Sequence, residues 1–293
     1  MKNIVTESFF SEIGDKTHLT YKKFIFGEIS DQSIHIILQH GLLEYHGRHQ
    51  ELIEYLGENF SNNGVVISCL DLVGHGLSGG NRVYVDKMET LVNDFNNFVK
   101  KVCSEFQGLN LFVIGHSLGG LLALKLTLNT RLIQGLNLKG TILANPCLGV
   151  PESFLLRLKD FIHKTPSWMK KLRIPIYNAK ELTHDPDKIR DFISDHLISK
   201  FMTINIGLEI LKETEKIQFT SYFLESPCLF ILSGEDSIVD NEKTKLYISS
   251  MNKKHVERID YPSMYHDIFN ETCRKKVYKE IKKYIQKGIL HEK

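Results

Sequence analysis

The sequence predicts an α/β fold, a mostly parallel central sheet flanked by helices, and three observations predict it. Short apolar runs alternate along the chain with longer stretches of helical periodicity. Several of the runs, such as Ile34–Gln39 and Val65–Leu70, are β-branched and nearly continuous, which is the pattern of strands buried on both faces. One interval of roughly seventy residues between two such runs shows only helical periodicity, and a segment that long is not a structureless loop.

Taken in order, Leu19–Phe26 reads as an antiparallel edge hairpin. The strand Ile34–Gln39 precedes a helix over Glu51–Asn59, and Val65–Leu70 precedes one over Thr90–Phe106. Leu111–Ile114 runs into Leu118–Leu128, and Gly140–Ala144 follows. Residues 151–220 carry helical patterns at Phe154–His163, Pro186–Ile193 and Thr203–Lys216, with no strand run. Beyond them, Leu229–Leu232 and His255–Asp260 read as strands, Asn241–Met251 and Glu271–Gln286 as helices. The expected organisation is one discontinuous core, 1–150 and 221–293, with a helical cap, 151–220, inserted after the sixth strand.

Composition narrows the function classes. A chain of 293 residues, 42% hydrophobic and 25% charged, can bury one large core and is neither disordered nor collagen-like. Against 35 acidic residues there are 37 Lys and Arg, so no overall basic excess argues for nucleic acid. The five cysteines, Cys69, Cys103, Cys147, Cys228 and Cys273, lack the short paired spacing of a disulfide framework or a zinc site. Cys69, Cys147 and Cys228 lie in or beside apolar runs and read as small buried hydrophobes. Met1–Phe10 has no apolar signal core, and the longest uncharged stretch, Phe106–Leu124, is broken by polar residues and four glycines. A cytoplasmic setting is the expectation.

The strongest local signal is Gly115-His116-Ser117-Leu118-Gly119, with Gly120 following. It fits G-x-S-x-G, directly follows a predicted strand and opens a leucine-rich helix, the context this motif requires. A sharp strand-to-helix turn crowds the backbone around the serine, so glycine is needed where a side chain would clash. The turn lifts the Ser117 hydroxyl above the sheet edge, and the helix N-terminus behind it offers free N–H groups to a developing oxyanion.

A serine hydroxyl needs a histidine to take its proton and a carboxylate to hold that histidine's tautomer. With the order Ser, Asp/Glu, His, both partners follow later strands. Glu235, Asp236 and Asp240 all follow the run Leu229–Leu232 and are the candidate acids; Asp240 also suits the N-cap of the next helix, and Glu235 the turn. His266 stands in the loop after His255–Asp260 and is the candidate base. The second oxyanion donor in such a fold comes from the loop after Ile34–Gln39, which makes the N–H groups of Leu42 and Leu118 the pair, with Gly41 allowing the turn. His40 reads as a packing and hydrogen-bonding residue beneath that loop. The glycine-rich stretch Asp71–Gly80 matches no phosphate-cradle pattern and reads as a structural turn.

With these residues placed, the chain resembles the α/β-hydrolase superfamily, and within it the monoacylglycerol lipase and bacterial lysophospholipase group, over about residues 15 to 285. The group's HG-x-x-E-x-x-x-R stretch stands here as His40 to Arg48, and its D-x-x-GHG-x-S-x-G-x-R stretch as Asp71 to Arg82. GHS-x-GG is Gly115 to Gly120. D-x-[IL]-V-D is Asp236 to Asp240, which favours Asp236 as the acid. H-[DE]-x-x-x-E is His266-Asp267 with Glu271, and L-T-x-D-P is Leu182 to Pro186. Three departures stand out. Tyr45 replaces a common histidine, His49 a common tyrosine, and Asp195-His196-Leu197 the usual Asp-Pro-Leu.

The resemblance implies a serine carboxylic-ester hydrolase acting on a monoacyl lipid, monoacylglycerol or lysophospholipid, without metal or organic cofactor. Rivals are an esterase for short soluble esters, a proline aminopeptidase of the same fold group, and a non-catalytic binding protein that keeps only the fold. A lipid substrate calls for an apolar path, for which the cap offers Phe154, Leu155, Leu158, Phe161, Ile162, Trp168 and Met169; Phe154, Leu158, Trp168 and Met169 are the named candidates. Between Asp160 and Glu181 the cap has Lys164, Lys170, Lys171, Arg173 and Lys180 and no acidic residue. Such a basic stretch beside Trp168 suits either a solvated surface or transient contact with an anionic membrane.

Overall fold

The computed structural model describes residues 2–11, 17–158, 166, 168–175, 178–218 and 224–290. Strands β1 (Lys2–Phe10), β2 (His18–Phe26) and β3 (Ile34–Gln39) precede helix α1 (Gln50–Phe60) and β4 (Val65–Leu70). Helix α2 (Met88–Glu105), β5 (Asn110–His116), α3 (Leu118–Thr127), the short α4 (Thr130–Ile133) and β6 (Leu138–Ala144) follow. Next come α5 (Glu152–Leu158), β7 (Arg173–Pro175), α6 (Pro186–Ser194), β8 (Phe201–Thr203) and α7 (Ile204–Gln218). The chain then runs through β9 (Cys228–Ser233), α8 (Asn241–Ser250), β10 (Val256–Tyr261) and α9 (Arg274–Leu290).

Eight strands form one sheet in the order β1-β2-β4-β3-β5-β6-β9-β10. From β4 to β10 every neighbouring pair is parallel, while β2 runs antiparallel to both β1 and β4. All positions of β3, β4, β5 and β9 are buried, which is why these strands read as unbroken apolar runs. Their side chains alternate between two cores. Val113 and Ile37 face a core shared with Phe95, Phe98 and Val102 of α2 and Leu121 of α3. Phe112, Ile114, Ile34 and Ile36 face one shared with Leu52 and Leu56 of α1 and Ile281 and Ile285 of α9. Each of these fully buried side chains contributes roughly 1.5–3 kcal/mol by leaving water.

The strand order reverses direction at β3. Its neighbour β4 lies on one side and β5 on the other, so the carboxyl ends of β3 and β5 form a topological switch point, where α/β sheets bind ligands. Gln39 pairs with Gly115 there, placing His40-Gly41-Leu42 beside His116-Ser117.

Several predicted features are corrected. The interval 151–220 does contain strands: β7 and β8 pair antiparallel, Arg173 with Thr203 and Pro175 with Phe201. Three residues each are too few for any periodicity, and the partner lies nearly thirty positions away, so the pairing is a tertiary event. Leu19–Phe26 is not itself a hairpin but lies within the single strand β2, and β1 is the other arm. β1 covers β2 from Lys2↔Phe26 to Phe10↔His18, and its residues are exposed or half-buried, so no apolar run marks it. The last strand starts one residue later than predicted, because His255 ends a short 3-10 turn. The first cap helix begins at Glu152 and is described to Leu158; Phe161, Ile162, His163 and Lys164 lie outside the described residues.

Between β6 and β9 the chain docks onto the same core. Leu158 of α5 and Met202 both press on the position of Gly207, where a Cβ would come within 2.9 Å of each, and Ile206, Ile210 and Leu211 of α7 join the α2 and α3 side. Cys69, Cys147 and Cys228 are buried free thiols. No helix is long and apolar enough to cross a membrane among the described residues.

Candidate active site

Ser117 sits on a strained turn between β5 and α3, at φ 55° and ψ −120°. A non-glycine residue held there costs about 1–3 kcal/mol, and the surroundings show what enforces it. A Cβ on Gly115 would lie 2.3 Å from the Gly119 carbonyl oxygen, and one on Gly119 would lie 2.4 Å from that of Gln39. Glycine at both positions lets β5, α3 and the end of β3 meet at the serine. The turn is pinned by Ser117 N–H donating to Ala144 O and Cys147 N–H donating to Ser117 O, at 3.0 and 2.9 Å.

Across the switch point, a Cβ on Gly41 would come within 2.9 Å of the Ser117 Cβ, so the loop 40–44 presses directly on the serine. No hydrogen bond engages the N–H groups of Leu42 or Leu118 among the described residues, which leaves both able to donate. The loop is held from three sides. Gly41 N–H donates to Glu44 Oε1 at 2.7 Å, His40 accepts from Leu72 N–H at 3.1 Å, and Leu43, at φ 73°, takes the Ser199 N–H at 2.9 Å. His40 is thus a support of the loop, its pKa lowered by burial.

His266 follows β10 and Asp236 follows β9, on neighbouring parallel strands whose carboxyl ends face the same way. Their side chains meet: His266 Nδ1 lies 2.8 Å from Asp236 Oδ2, and both are almost fully buried. Asp236 Oδ1 accepts N–H bonds from Ile238 and Val239 at 2.8 and 3.0 Å, which fixes the carboxylate. Neither alternative carboxylate is bonded to the imidazole. Glu235 is exposed, and Asp240 caps α8 through the N–H groups of Glu242 and Lys243. Asp71 likewise serves structure, accepting from His46, from its backbone N–H and from Leu77 N–H inside the glycine-rich turn.

Ser117, His266, Gly41, Leu42, Glu44, His116 and Asp267 wall one small cleft, closed from the cap side by Leu182 and Phe192. Its volume is about 10 Å³, room for a single water molecule. None of the four cap residues singled out in sequence lines it. Phe154 and Leu158 are buried in the main core, Trp168 is 69% exposed, and Met169 is half-buried in a 3-10 turn. Helical periodicity marks an apolar face without saying what the face buries against, and here α5 spends its face on α7.

Several further side chains support the site. Asn145, at φ 41°, donates to His266 O at 2.7 Å and accepts from Ser233 N–H at 2.7 Å, tying the base loop to the acid loop. Asn241 donates to Ser233 O at 2.9 Å. Arg48, the last residue of the HG-x-x-E-x-x-x-R stretch, is bridged to Asp267 at 2.7 Å beside the base, and Glu271 accepts from Tyr265 N–H at 2.9 Å on the base's other side. The group motifs singled out Arg48 and Glu271; for Asn145 and Asn241 no local pattern existed.

A buried ionic cluster lies behind the serine. His116 Nδ1 is 3.0 Å from Glu44 Oε1, and its Nε2 faces His266 O at 3.1 Å. Burial by itself would lower the His116 pKa, but the Glu44 hydrogen bond and charge override it and push it up to about 9. Burial would likewise raise Glu44, yet the His49 and His116 imidazoles hold it well below the usual carboxylate range. A histidine with a raised folded pKa stabilises fully below its unfolded value near 6.5, and that stability is lost as pH rises through about 9. The difference in unfolding free energy between wild type and His116→Asn should therefore be larger at pH 6 and shrink toward pH 10. Urea unfolding of both proteins across that range checks this, and a gap independent of pH would refute it.

The chain is similar to known proteins over most of its length. The family model described as "Serine aminopeptidase, S33" matches residues 31–273. Phospholipase YtpA of Bacillus subtilis is 27% identical over 259 residues, covering 87% of this chain and 95% of that protein. The monoacylglycerol lipase of Mycolicibacterium smegmatis is 23% identical, covering 85% and 87%. Among solved structures, a soluble variant of the Saccharomyces cerevisiae monoglyceride lipase in complex with a substrate analog shares the fold at a TM-score of 0.81 and 20% identity, covering 98% of this chain and 96% of that one.

Proposed function

The chain belongs to the α/β-hydrolase family described as "Serine aminopeptidase, S33", a family of serine hydrolases, and from that membership we propose that it cleaves a carboxylic ester of a monoacyl lipid, a monoacylglycerol or a lysophospholipid. The observation that carries the reading is the 2.8 Å contact of His266 with Asp236 on the cleft that also holds Ser117. In this reading Asp236 keeps the proton on His266 Nδ1, so that Nε2 accepts the Ser117 proton as Oγ attacks the ester carbonyl. The oxyanion is received by the N–H groups of Leu42 and Leu118. His266 returns its proton to the leaving alcohol, and water, activated by the same imidazole, releases the acid from Ser117.

The lipid assignment draws support from the relatives, which are named lipases and a phospholipase. Residues 1–150 and 221–293 act as the core and 151–220 as a lid. An acyl chain does not fit a cleft of about 10 Å³, so Leu182 and Phe192 move aside when substrate enters. Exposed Trp168, Leu172 and Phe201, with Lys170, Lys171 and Arg173 beside them, form a surface of the lid suited to resting on an anionic lipid layer.

A short-ester carboxylesterase is the second reading, and the small cleft is what favours it. Turnover of monoacylglycerols, lysophospholipids and p-nitrophenyl esters of increasing length separates the two. The lipid reading expects activity to rise with acyl length, and Trp168→Ala to lower turnover on micellar lipid several-fold while sparing soluble short esters. Activity that peaks at acetate or butyrate, with Trp168→Ala neutral on micelles, gives the short-ester reading.

A further inference from the structure

Glu44, His49 and His116 bring one carboxylate and two imidazoles together behind the oxyanion loop, their donor atoms all within 4.8 Å of one another. All three residues are buried, at 5%, 1% and 2% exposure. Glu44 Oε1 stands 3.0 Å from His116 Nδ1 and 3.3 Å from His49 Nε2. Donors around a tetrahedral zinc ion, each bonded at about 2.0–2.1 Å, lie about 3.3 Å apart.

The second observation concerns His49. Its Nδ1 has no hydrogen-bond partner among the described residues and its Nε2 meets only Glu44 Oε1, while the ring is sealed edge-on against His116 and Phe269. A buried ring nitrogen left without a bond is costly, and the ring's other nitrogen already points at the carboxylate. His116 is oriented by the outer bond that metal-binding histidines use, Nε2 facing the His266 carbonyl, which leaves Nδ1 as the free donor once the proton is displaced. The group this chain resembles commonly carries tyrosine at position 49, so the second imidazole is a feature of this sequence.

We infer that Glu44, His49 and His116 form a site for one divalent transition-metal ion of the zinc class, and that its occupation switches the hydrolase off. The donor set suits Zn²⁺, Co²⁺ or Ni²⁺ and not Mg²⁺ or Ca²⁺, which prefer all-oxygen ligands. Glu44 and His116 both reach the cleft wall beside Ser117, so the ion enters where substrate does. The oxygen that binds it is Oε1, which now accepts the Gly41 N–H at 2.7 Å. Ligation withdraws that acceptor, and the loop carrying the Leu42 donor loses one of its three anchors, the one nearest Ser117. This inhibitory consequence rests on the serine-hydrolase reading; the site itself does not.

The test starts with the metal-free Ser117→Ala chain titrated with Zn²⁺ by calorimetry, where one ion per chain is expected. His49→Tyr and Glu44→Gln in the same background should each weaken binding about 100-fold. Co²⁺ should give the visible d–d bands of a nitrogen and oxygen site without thiolate charge-transfer bands, a readout that needs no variant to fold. Zn²⁺ should inhibit ester hydrolysis by the Ser117-bearing chain about tenfold at concentrations that leave its His49→Tyr variant within twofold of its metal-free rate. No binding, binding undiminished by His49→Tyr, or thiolate bands would overturn the site. Binding through His49 without inhibition would overturn the switch. Stoichiometry measured without turnover keeps these failures separate from failure of the hydrolase reading.

Discussion

Ser117→Ala is expected to lower ester turnover about 10⁶-fold, the loss seen when the nucleophile of a serine triad is removed. The residue occupies a positive-φ turn that alanine and serine tolerate about equally, and its carbonyl keeps the Cys147 N–H, so the fold should survive. A near-unchanged melting temperature would separate loss of chemistry from loss of structure. Fluorophosphonate should label the natural chain and fail on the variant. Equal labelling of both would move the nucleophile to another residue, and no labelling of either would leave a binding protein of α/β-hydrolase fold as the better reading.

The second large effect belongs to the acid. Asp236→Asn should lower turnover about 10⁴-fold. The reason is tautomeric. Asp236 Oδ2 accepts from His266 Nδ1 at 2.8 Å, whereas an asparagine amide turned toward that nitrogen donates to it, moving the ring proton to Nε2, where it blocks transfer from Ser117. Neighbouring carboxylates give the control. Glu235→Gln removes an exposed charge and should leave turnover within about twofold, and Asp240→Asn keeps a good N-cap residue and should cost a few tenths of a kcal/mol in stability. If Glu235→Gln instead matched the loss of Asp236→Asn, the acid would have to be reassigned.

How much of this was legible in the sequence depended on how each residue is used. Strands β3, β4, β5 and β9 were legible because both their faces are buried, which forces unbroken apolar runs. β1 was not, since an exposed edge strand needs no apolar signature, and β7 and β8 were too short to carry one. The serine turn announced itself because its glycines answer to backbone crowding within five residues. Asn145 is the opposite case. It holds Ser233 and His266, 88 and 121 positions away, and a lone asparagine at a strand end looks the same whether or not it has such partners.

The cap divides along the same line. Its helices were visible as periodicity, but Leu158 and Phe154 proved to belong to the shared core, and the side chains facing Ser117 are Leu182 and Phe192. Periodicity reports that a helix has an apolar face; only packing decides whether the face meets a core or a substrate.

The sequence by itself therefore determined the sheet, the sharp turn at Ser117 and the chain order of serine, acid and histidine, because burial on two faces and local steric crowding act over a few residues. Tertiary structure alone decided that Leu182 and Phe192 line the cleft from the cap side and that the donor atoms of Glu44, His49 and His116 come together in the interior; it also brings Asp236, which the acid motif favoured, to 2.8 Å from His266. Those outcomes depend on distances between residues far apart in the chain, set by how the strand ends converge at the switch point and by charges that interact strongly only once water is excluded.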